Sequence, residues 1–470
     1  MEPSPEHAVE ASRLPMLAYG GARVTRRRHN RHRYRHHRRQ SGGRRRQRSG
    51  DGAGTDWPPA GGAGPDRLEH DADEAWRRGP LAALDRLVGP DTRALAVAAM
   101  VPSLTAVDPA GRPITPGLLY GDARGRVPNA SVARAQSVPS VGETAEFLRW
   151  TAGQALDASG YWPAPAVANY ALSGEAVIDY ATAVTTLPLF DGTGWNATAC
   201  ADCGVTVDRM PRVETFGVGV GQVRGTGAVL AVGAVDALCE QIVAGADRDG
   251  DVLVLCGATL IVWTTISAAR QVPGLWTIPH TAPGKSQIGG ASNAGGLFLN
   301  WVDRVIGPGD PALADPRRVP VWLPYIRGER TPFHEPDRRA VLDGVDLSQD
   351  AASVRRAAYE ASGFVVRQLI ELSGAPVARI VAAGGGTRIQ PWMQAIADAT
   401  GRPVEVSRVA EGAALGAAFL GRLAAGLESS IADAARWAST DRIVEPSADW
   451  AGPTKERYRR FLALSGSKLA

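Results

Sequence analysis

From Leu68 onward the hydrophobic positions fall into short runs and stripes separated by turn residues; before it no period is sustained. Leu95 to Met100 (LAVAAM) is a continuous apolar run of strand length and predicts a buried strand. Thr105-Ala-Val-Asp-Pro-Ala-Gly111 predicts a strand running into a turn, with Pro109 and Gly111 as breakers. Val229 to Val235 predicts another strand, followed by a helix over Ala237 to Ala246. Asp251 to Trp263 predicts two buried strands joined tightly at Gly257-Ala258-Thr259. Between Ser353 and Leu372 the apolar residues Val354, Ala358, Ala361, Val365, Leu369 and Leu372 form a helical stripe that Gly374 stops. Val377 to Ala382 predicts a strand, Gly384-Gly385-Gly386 a turn, and Pro391 to Ala399 a helix with proline in its first turn. Gly412 to Ala425 predicts a helix so rich in Ala and Gly that another backbone can approach it closely. Strands alternating with helices make this an α/β chain.

Composition changes the picture at one end only. With 470 residues there is room for two or three domains, and 44% apolar content is ordinary for a globular protein. The net charge of +4 suggests a polyanion partner until its distribution is considered. Gly21 to Gly50 holds thirteen arginines, four histidines and no acid, so the remaining chain carries about −9. That segment has only Ala22, Val24 and Tyr34 to bury, too little to offset chain entropy, and disorder is expected over 1–66. The arginine run reads as a nucleic-acid arm, as a solvated tail, or as text outside the natural reading frame; the third is preferred, for a reason given below. A nucleic-acid partner is therefore not expected. Four cysteines are too few for a disulfide scaffold and point to a reducing cytoplasm. No apolar run is long enough for a membrane span, and the start has no secretory h-region, which makes the sequons at Asn129 and Asn196 chance matches.

Several residues are placed for chemistry. Asp236 sits where a strand meets a helix, as a general base at a sheet edge or as a helix N-cap. Gly257-Ala258-Thr259 is a small-residue turn whose amides and hydroxyl suit an anion, or a plain hairpin. Gly384-Gly385-Gly386 lets backbone lie flat against a nucleotide, in a pattern that is neither a dinucleotide fingerprint nor a Walker A loop. Asp122, after Leu118-Leu-Tyr-Gly, is a sugar-binding acid or a surface turn residue. Cys200-Ala-Asp-Cys203 has no second pair for zinc. No metal ligand is assigned.

In order, these segments resemble the FGGY family of carbohydrate kinases, nearest its xylulokinase-like branch, over roughly Leu68 to Leu464. The most specific stretch is Ile380-Val-Ala-Ala-Gly-Gly-Gly-Thr387 through Trp392, with Ala397-Asp-Ala-Thr400, Pro403-Val404 and Gly412-Ala-Ala-Leu-Gly-Ala-Ala418. Gly250 to Thr259, Gly289-Gly290, Gly295-Gly296 and Gly328-Glu-Arg-Thr-Pro-Phe333 add to it. The resemblance implies two ribonuclease-H-like (actin-like ATPase) domains flanking a cleft: a sugar-binding domain over 67–225 and a nucleotide-binding domain over 226–470. It implies phosphorylation of a sugar or polyol from ATP with Mg2+, in a cytoplasmic enzyme that a second copy would make a homodimer. Asp236 becomes the catalytic base, Gly257, Ala258 and Thr259 the second phosphate loop, and Gly384, Gly385, Gly386 and Gly412 the adenosine motif. Asp122 becomes a sugar-side acid.

Two departures qualify this. The family opens with an Asp-x-Gly-Thr hairpin, and here Asp51-Gly-Ala-Gly-Thr55 is an imperfect echo without a preceding apolar strand. The arginine run stands where that hairpin belongs, so a misplaced start is expected; taken as given, the chain would be a catalytically impaired relative that binds nucleotide or sugar alone, or a polyanion binder. Second, Met100-Val101 replaces a Met-His pair that contacts sugar in xylulokinases, which argues against D-xylulose.

Overall fold

The computed structural model describes residues 67–125, 143–409, 411–467 and 469. The arginine run, Asp51 to Thr55 and Asn129 lie outside the described residues.

The N-terminal half is built from small sheets. Strands β1 (Glu69–His70), β3 (Ser103–Val107), β4 (Gly117–Leu119) and β5 (Gly160–Trp162) form one sheet in the order β1-β4-β3-β5. A second holds β2 (Ala94–Ala96), β9 (Val229–Ala231) and β8 (Gly219–Gln222), with β2 and β9 parallel. The pair β6 (Val177–Asp179) and β7 (Arg212–Glu214) is separate. Helices α1 (Gly79–Leu87), α2 (Glu143–Gln154) and α3 (Ala164–Ser173) cover these sheets.

Helix α4 (Asp236–Ala244) leads into the C-terminal half. There β10 (Asp251–Cys256), β11 (Leu260–Ile266), β12 (Trp276–Pro279), β13 (Ser286–Ser292), β16 (Arg379–Ala383), β17 (Val404–Ser407) and β18 (Thr440–Val444) form one seven-stranded sheet. Its inner order is β13-β11-β10-β16-β17: an antiparallel meander joined to two parallel strands, the ribonuclease-H-like arrangement. A short pair, β14 (Val321–Leu323) and β15 (Val341–Asp343), lies beside it. Helices α5 (Gly296–Ile306), α6 (Ala351–Ser373), α7 (Gln390–Thr400), α8 (Gly412–Ala424) and α9 (Ala448–Ser465) complete the chain.

Local chemistry explains the elements the pattern predicts. Every residue of β10 is buried, which is why it reads as an unbroken apolar run. Helix α6 starts where the Asp350 carboxylate accepts from Ser353 N at 2.8 Å and ends where Gly374 turns left-handed, φ 60°. Behind the sheet, Glu360 is clamped by Arg457 at 2.7 and 2.8 Å, and Arg356 reaches Asp398 at 2.6 Å. These four charges are buried but paired, as buried charges must be.

The halves meet in a core of their own, where α8 packs across β2, β9 and α4. Gly225 sits in the turn between β8 and β9, φ 71°, so the expected boundary there cuts a hydrogen-bonded hairpin. Because β9 is laddered to β2, we propose that the division falls after α4, at Gly245 to Gly250.

The α4–α8 contact is close enough to test. A Cβ on Gly416 would sit 1.9 Å from the Cys239 carbonyl oxygen, and neither helix backbone can yield locally. On Gly421 the nearest atom would be 3.6 Å away. Gly416→Val is expected to cost about 3 kcal/mol or prevent folding. Gly421→Ala is expected to be neutral or to stabilise by up to about 1 kcal/mol. Urea unfolding midpoints measure both, and equal effects would refute the contact.

Candidate active site

Asp236 is the first residue of α4, and its amide donates to Ala99 O at 3.1 Å, fixing the strand–helix junction to the end of β2. It does not act as an N-cap: the cap position is Val235, and no side chain caps this helix. One carboxylate oxygen accepts from Ala237 N at 2.8 Å, and the other has no hydrogen-bond partner among the described residues. The tip stays partly accessible while protein encloses the rest, and burial pushes this carboxyl up to about 6. Glu240 is one helical turn further on, so it shares the face of α4 that bears Asp236. Burial, then the charges of Asp236 and Glu411, push it up to about 8.

The turn Gly257-Ala258-Thr259 follows β10. Gly257 O accepts from Gly296 N, and Ala258 O from Leu297 N, both at 2.9 Å. Gly295 is pressed against Thr259, where a Cβ would meet its carbonyl carbon at 2.3 Å. The turn's carbonyls are thus held by the start of α5, while the amides of Ala258 and Thr259 find no acceptor among the described residues. A turn with spent carbonyls and free amides suits an anion.

The three glycines after β16 do different work. Cβ atoms on Gly384 and Gly386 would meet Cys256 O at 3.0 and 2.7 Å, and on Gly386 also the Trp392 ring at 2.3 Å. Gly385 faces open space, with nothing within 4 Å. Packing against the end of β10 therefore requires two of them, and the middle one leaves a bare surface beside the turn. Gly412 opens α8, and a Cβ there would reach Glu240 Cγ at 3.0 Å. Its smallness makes room for Glu240.

Asp122 departs from the sequence expectation. It is fully buried, and its oxygens accept from Leu68 N at 2.8 Å, Arg124 N at 2.9 Å, Arg124 Nε at 2.9 Å and Arg124 Nη2 at 2.6 Å. A carboxylate offers about four lone-pair sites, and these four bonds fill them. Asp122 therefore ties the turn after β4 to Leu68 rather than accepting from a sugar. Met100 and Val101 are half-buried just beyond Ala99, which places them beside Asp236.

Sequence reasoning assigned no role to Tyr120, Arg327 or Arg330. Tyr120, between β4 and Asp122, has its phenol pushed up by burial and then by the Asp236 charge, with Arg330 and Arg327 opposing. Arg330 lay in Gly328-Glu-Arg-Thr-Pro-Phe333, which was legible as a motif but not as a role. Among the described residues no three or more His, Cys, Asp or Glu side chains gather to cage a metal ion, and no helix is long and apolar enough to cross a membrane.

Comparison with known proteins agrees with this arrangement. Residues 256–425 match the model of the FGGY family of carbohydrate kinases, C-terminal domain. The xylulose kinase of Escherichia coli (strain K12) is 25% identical over 439 residues, covering 84% of this chain and 90% of that protein. The gluconokinase of Bacillus subtilis (strain 168) is 28% identical over 289 residues, 54% of this chain and 56% of that one. The crystal structure of xylulose kinase from Rhodospirillum rubrum superimposes with a TM-score of 0.68 at 24% identity, covering 87% of this chain and 92% of that one. That likeness carries the fold: two actin-like ATPase halves around a cleft. Residues 256–425 thus carry the C-terminal domain of the FGGY family of carbohydrate kinases, and through both halves the chain is similar to xylulose kinases.

Proposed function

We propose that this chain transfers the γ-phosphoryl group of ATP to a hydroxyl of a sugar or polyol, with Asp236 as the general base. The observation that carries this is the Asp236 carboxylate, which has one oxygen unengaged and stands at a helix start near a turn with free amides. In the reaction Asp236 takes the hydroxyl proton, the sugar oxygen forms a bond to the γ-phosphorus, and the bond to the β–γ bridging oxygen breaks to release ADP. The amides of Ala258 and Thr259 stabilise charge on the transferring group, and the bare backbone at Gly385 receives the nucleotide. Of the two acids on this helix face Glu240 is held neutral, so Mg2+ would be carried mainly by the triphosphate and water, with Asp236 the ionisable carboxylate beside it. When bound, that ion supplies charge neutralisation on the phosphates.

By their printed names, related proteins act on xylulose, gluconate or glycerol. A sugar or polyol acceptor is common to all three. The four cysteines are buried and unpaired, which supports the cytoplasm as the compartment. A homodimer is carried as part of this reading and is read out by sedimentation.

The raised carboxyl of Asp236 gives a signed pH test. Its native value near 6 exceeds the unfolded value of 3.8, so the native state binds more protons between them and stability falls as pH rises through that window. Asp236→Asn keeps an acceptor for Ala237 N but cannot ionise. Turnover is expected to fall at least about 100-fold. The variant is expected to unfold at higher urea than the parent at pH 8, with the difference gone at pH 3.5. Near-normal turnover, or equal midpoints at pH 8, would sink the assignment.

The glycine turn separates in the same way. Gly386→Ala is expected to lower the melting temperature, since its Cβ meets Cys256 and Trp392. Gly385→Ala is expected to leave it within about 2 °C. Gly385→Trp, which fills the open face, is expected to weaken ATP binding in calorimetry at least about ten-fold. Retained ATP affinity in Gly385→Trp would mean the nucleotide lies elsewhere.

A further inference from the structure

The N-terminal half carries a second pocket, lined by none of the residues assigned to the cleft above. It lies beside the parallel pair β6 and β7 and has a volume of about 390 Å³, within the usual range of small-molecule sites. Three aromatic rings line it, from Tyr180, Phe190 and Trp195. Phe190 is buried between the other two, edge-on to Tyr180 at 5.7 Å and to Trp195 at 5.5 Å. Tyr180 is 43% exposed.

The rings are held by their own polar ends. Tyr180 Oη donates to Gly192 O at 3.1 Å, and Trp195 Nε1 donates to Pro211 O at 2.7 Å. The loop between them is fixed as well. One Asp191 oxygen accepts from Thr193 N at 2.8 Å, Thr193 Oγ1 at 2.7 Å and Gly194 N at 3.0 Å. With their donors spent on the chain, the rings offer a ligand flat apolar surface that is already ordered.

Arg212 and Glu214 line the same pocket. Arg212 Nη1 donates to Glu214 at 2.8 Å, and its Nη2 donates to Glu175 at 3.3 Å. These three side chains are between a third and a half exposed, so they keep donors and acceptors for a further partner. Their charges sum to −1, which favours a neutral ligand over an anion.

A ligand that answers both walls is neutral, has a flat C–H face and carries hydroxyls around its edge. A pyranose ring meets all three conditions. An acyclic polyol has the hydroxyls without the rigid face, and a sugar phosphate has the wrong charge. We propose that this pocket binds a neutral pyranose sugar, free or as the end unit of a short oligosaccharide. The ring lies on Tyr180 and Trp195, and its hydroxyls meet Arg212 and Glu214. This binding is separate from the phosphotransfer cleft and requires no ATP.

The test is hydrogen–deuterium exchange on the full chain without ATP, with D-glucose, maltotriose, D-glucose 6-phosphate and sorbitol as probes. D-Glucose or maltotriose is expected to slow exchange over 189–196 and 211–216, and the tighter of the two tells free sugar from chain end. The phosphate ester and sorbitol are expected to bind at least about five-fold more weakly. A Cβ on Gly194 meets nothing within 4 Å, so Gly194→Ala is expected to fold and bind as the parent does. Gly194→Trp fills the pocket and is expected to abolish the protection. Tyr180→Ala is expected to weaken binding about five-fold. Asp236→Asn is expected to keep it, so failure of the phosphotransfer reading and failure of this one are distinguishable. Slowing by neither sugar, slowing confined to 99–101 and 236–240, or equal slowing by the phosphate ester or sorbitol would overturn the proposal. So would undiminished protection in Gly194→Trp, or a proline-rich peptide that protects these segments where the sugars do not.

Discussion

The contact on which the rest depends is the approach of two helix backbones, α4 and α8, to near touching distance. It is possible only because Gly416 has no side chain where Cys239 presents its carbonyl oxygen. That packing sets more than stability. Asp236 is at the start of α4, Glu240 is one turn along it, and Gly412 begins α8 against Glu240. The start of α4 is itself pinned to β2 through Ala99, while α8 also lies across β2 and β9. The position of Asp236 relative to Glu240 and to the start of α8 is therefore a consequence of one helix pair packing tightly.

The same enclosure has an energetic cost that is useful. Asp236 and Glu240 are held among protein groups with few hydrogen-bond donors, and both prefer their neutral forms well above the ordinary carboxylate range. Nothing in folding requires this, since Asp236 does not cap its helix. By contrast, Glu360 is more deeply buried yet stays below the ordinary range, because Arg457 and Arg356 pair with it. The chain can satisfy a buried carboxylate where it needs rigidity, and it leaves one unsatisfied in the cleft. Storing unfavourable charge there rather than elsewhere is what a proton acceptor needs.

Much of this was legible in the sequence because it is local. The turn between β10 and β11, the extent of α6 with its cap and its stop, and the Ala/Gly surface of α8 all follow from residues adjacent along the chain. The errors share the opposite cause. Asp122 reads as a site acid until Arg124 and Leu68 are seen to fill its oxygens, and the Leu68 contact spans 54 positions. Gly225 reads as a boundary until β9 is seen to ladder with β2, more than a hundred residues earlier. Three successive glycines look like one device, but only neighbours from β10 and α7 show that two are packing requirements and one is open.

The residues that sequence reasoning left without a role lie across the cleft from one another, and this explains why they were missed. Tyr120 belongs to the N-terminal half, and Arg327 and Arg330 to the C-terminal half, some two hundred positions later. None forms a spacing pattern with Asp236. An acid at a helix start is recognisable from one segment, because strand, junction and helix are contiguous. The surroundings of Tyr120 are assembled from both halves, so they exist only once the fold has brought the halves together. Legibility in a two-domain kinase therefore divides along the cleft: each wall can be read from its own segment, and the charge balance between the walls requires the fold.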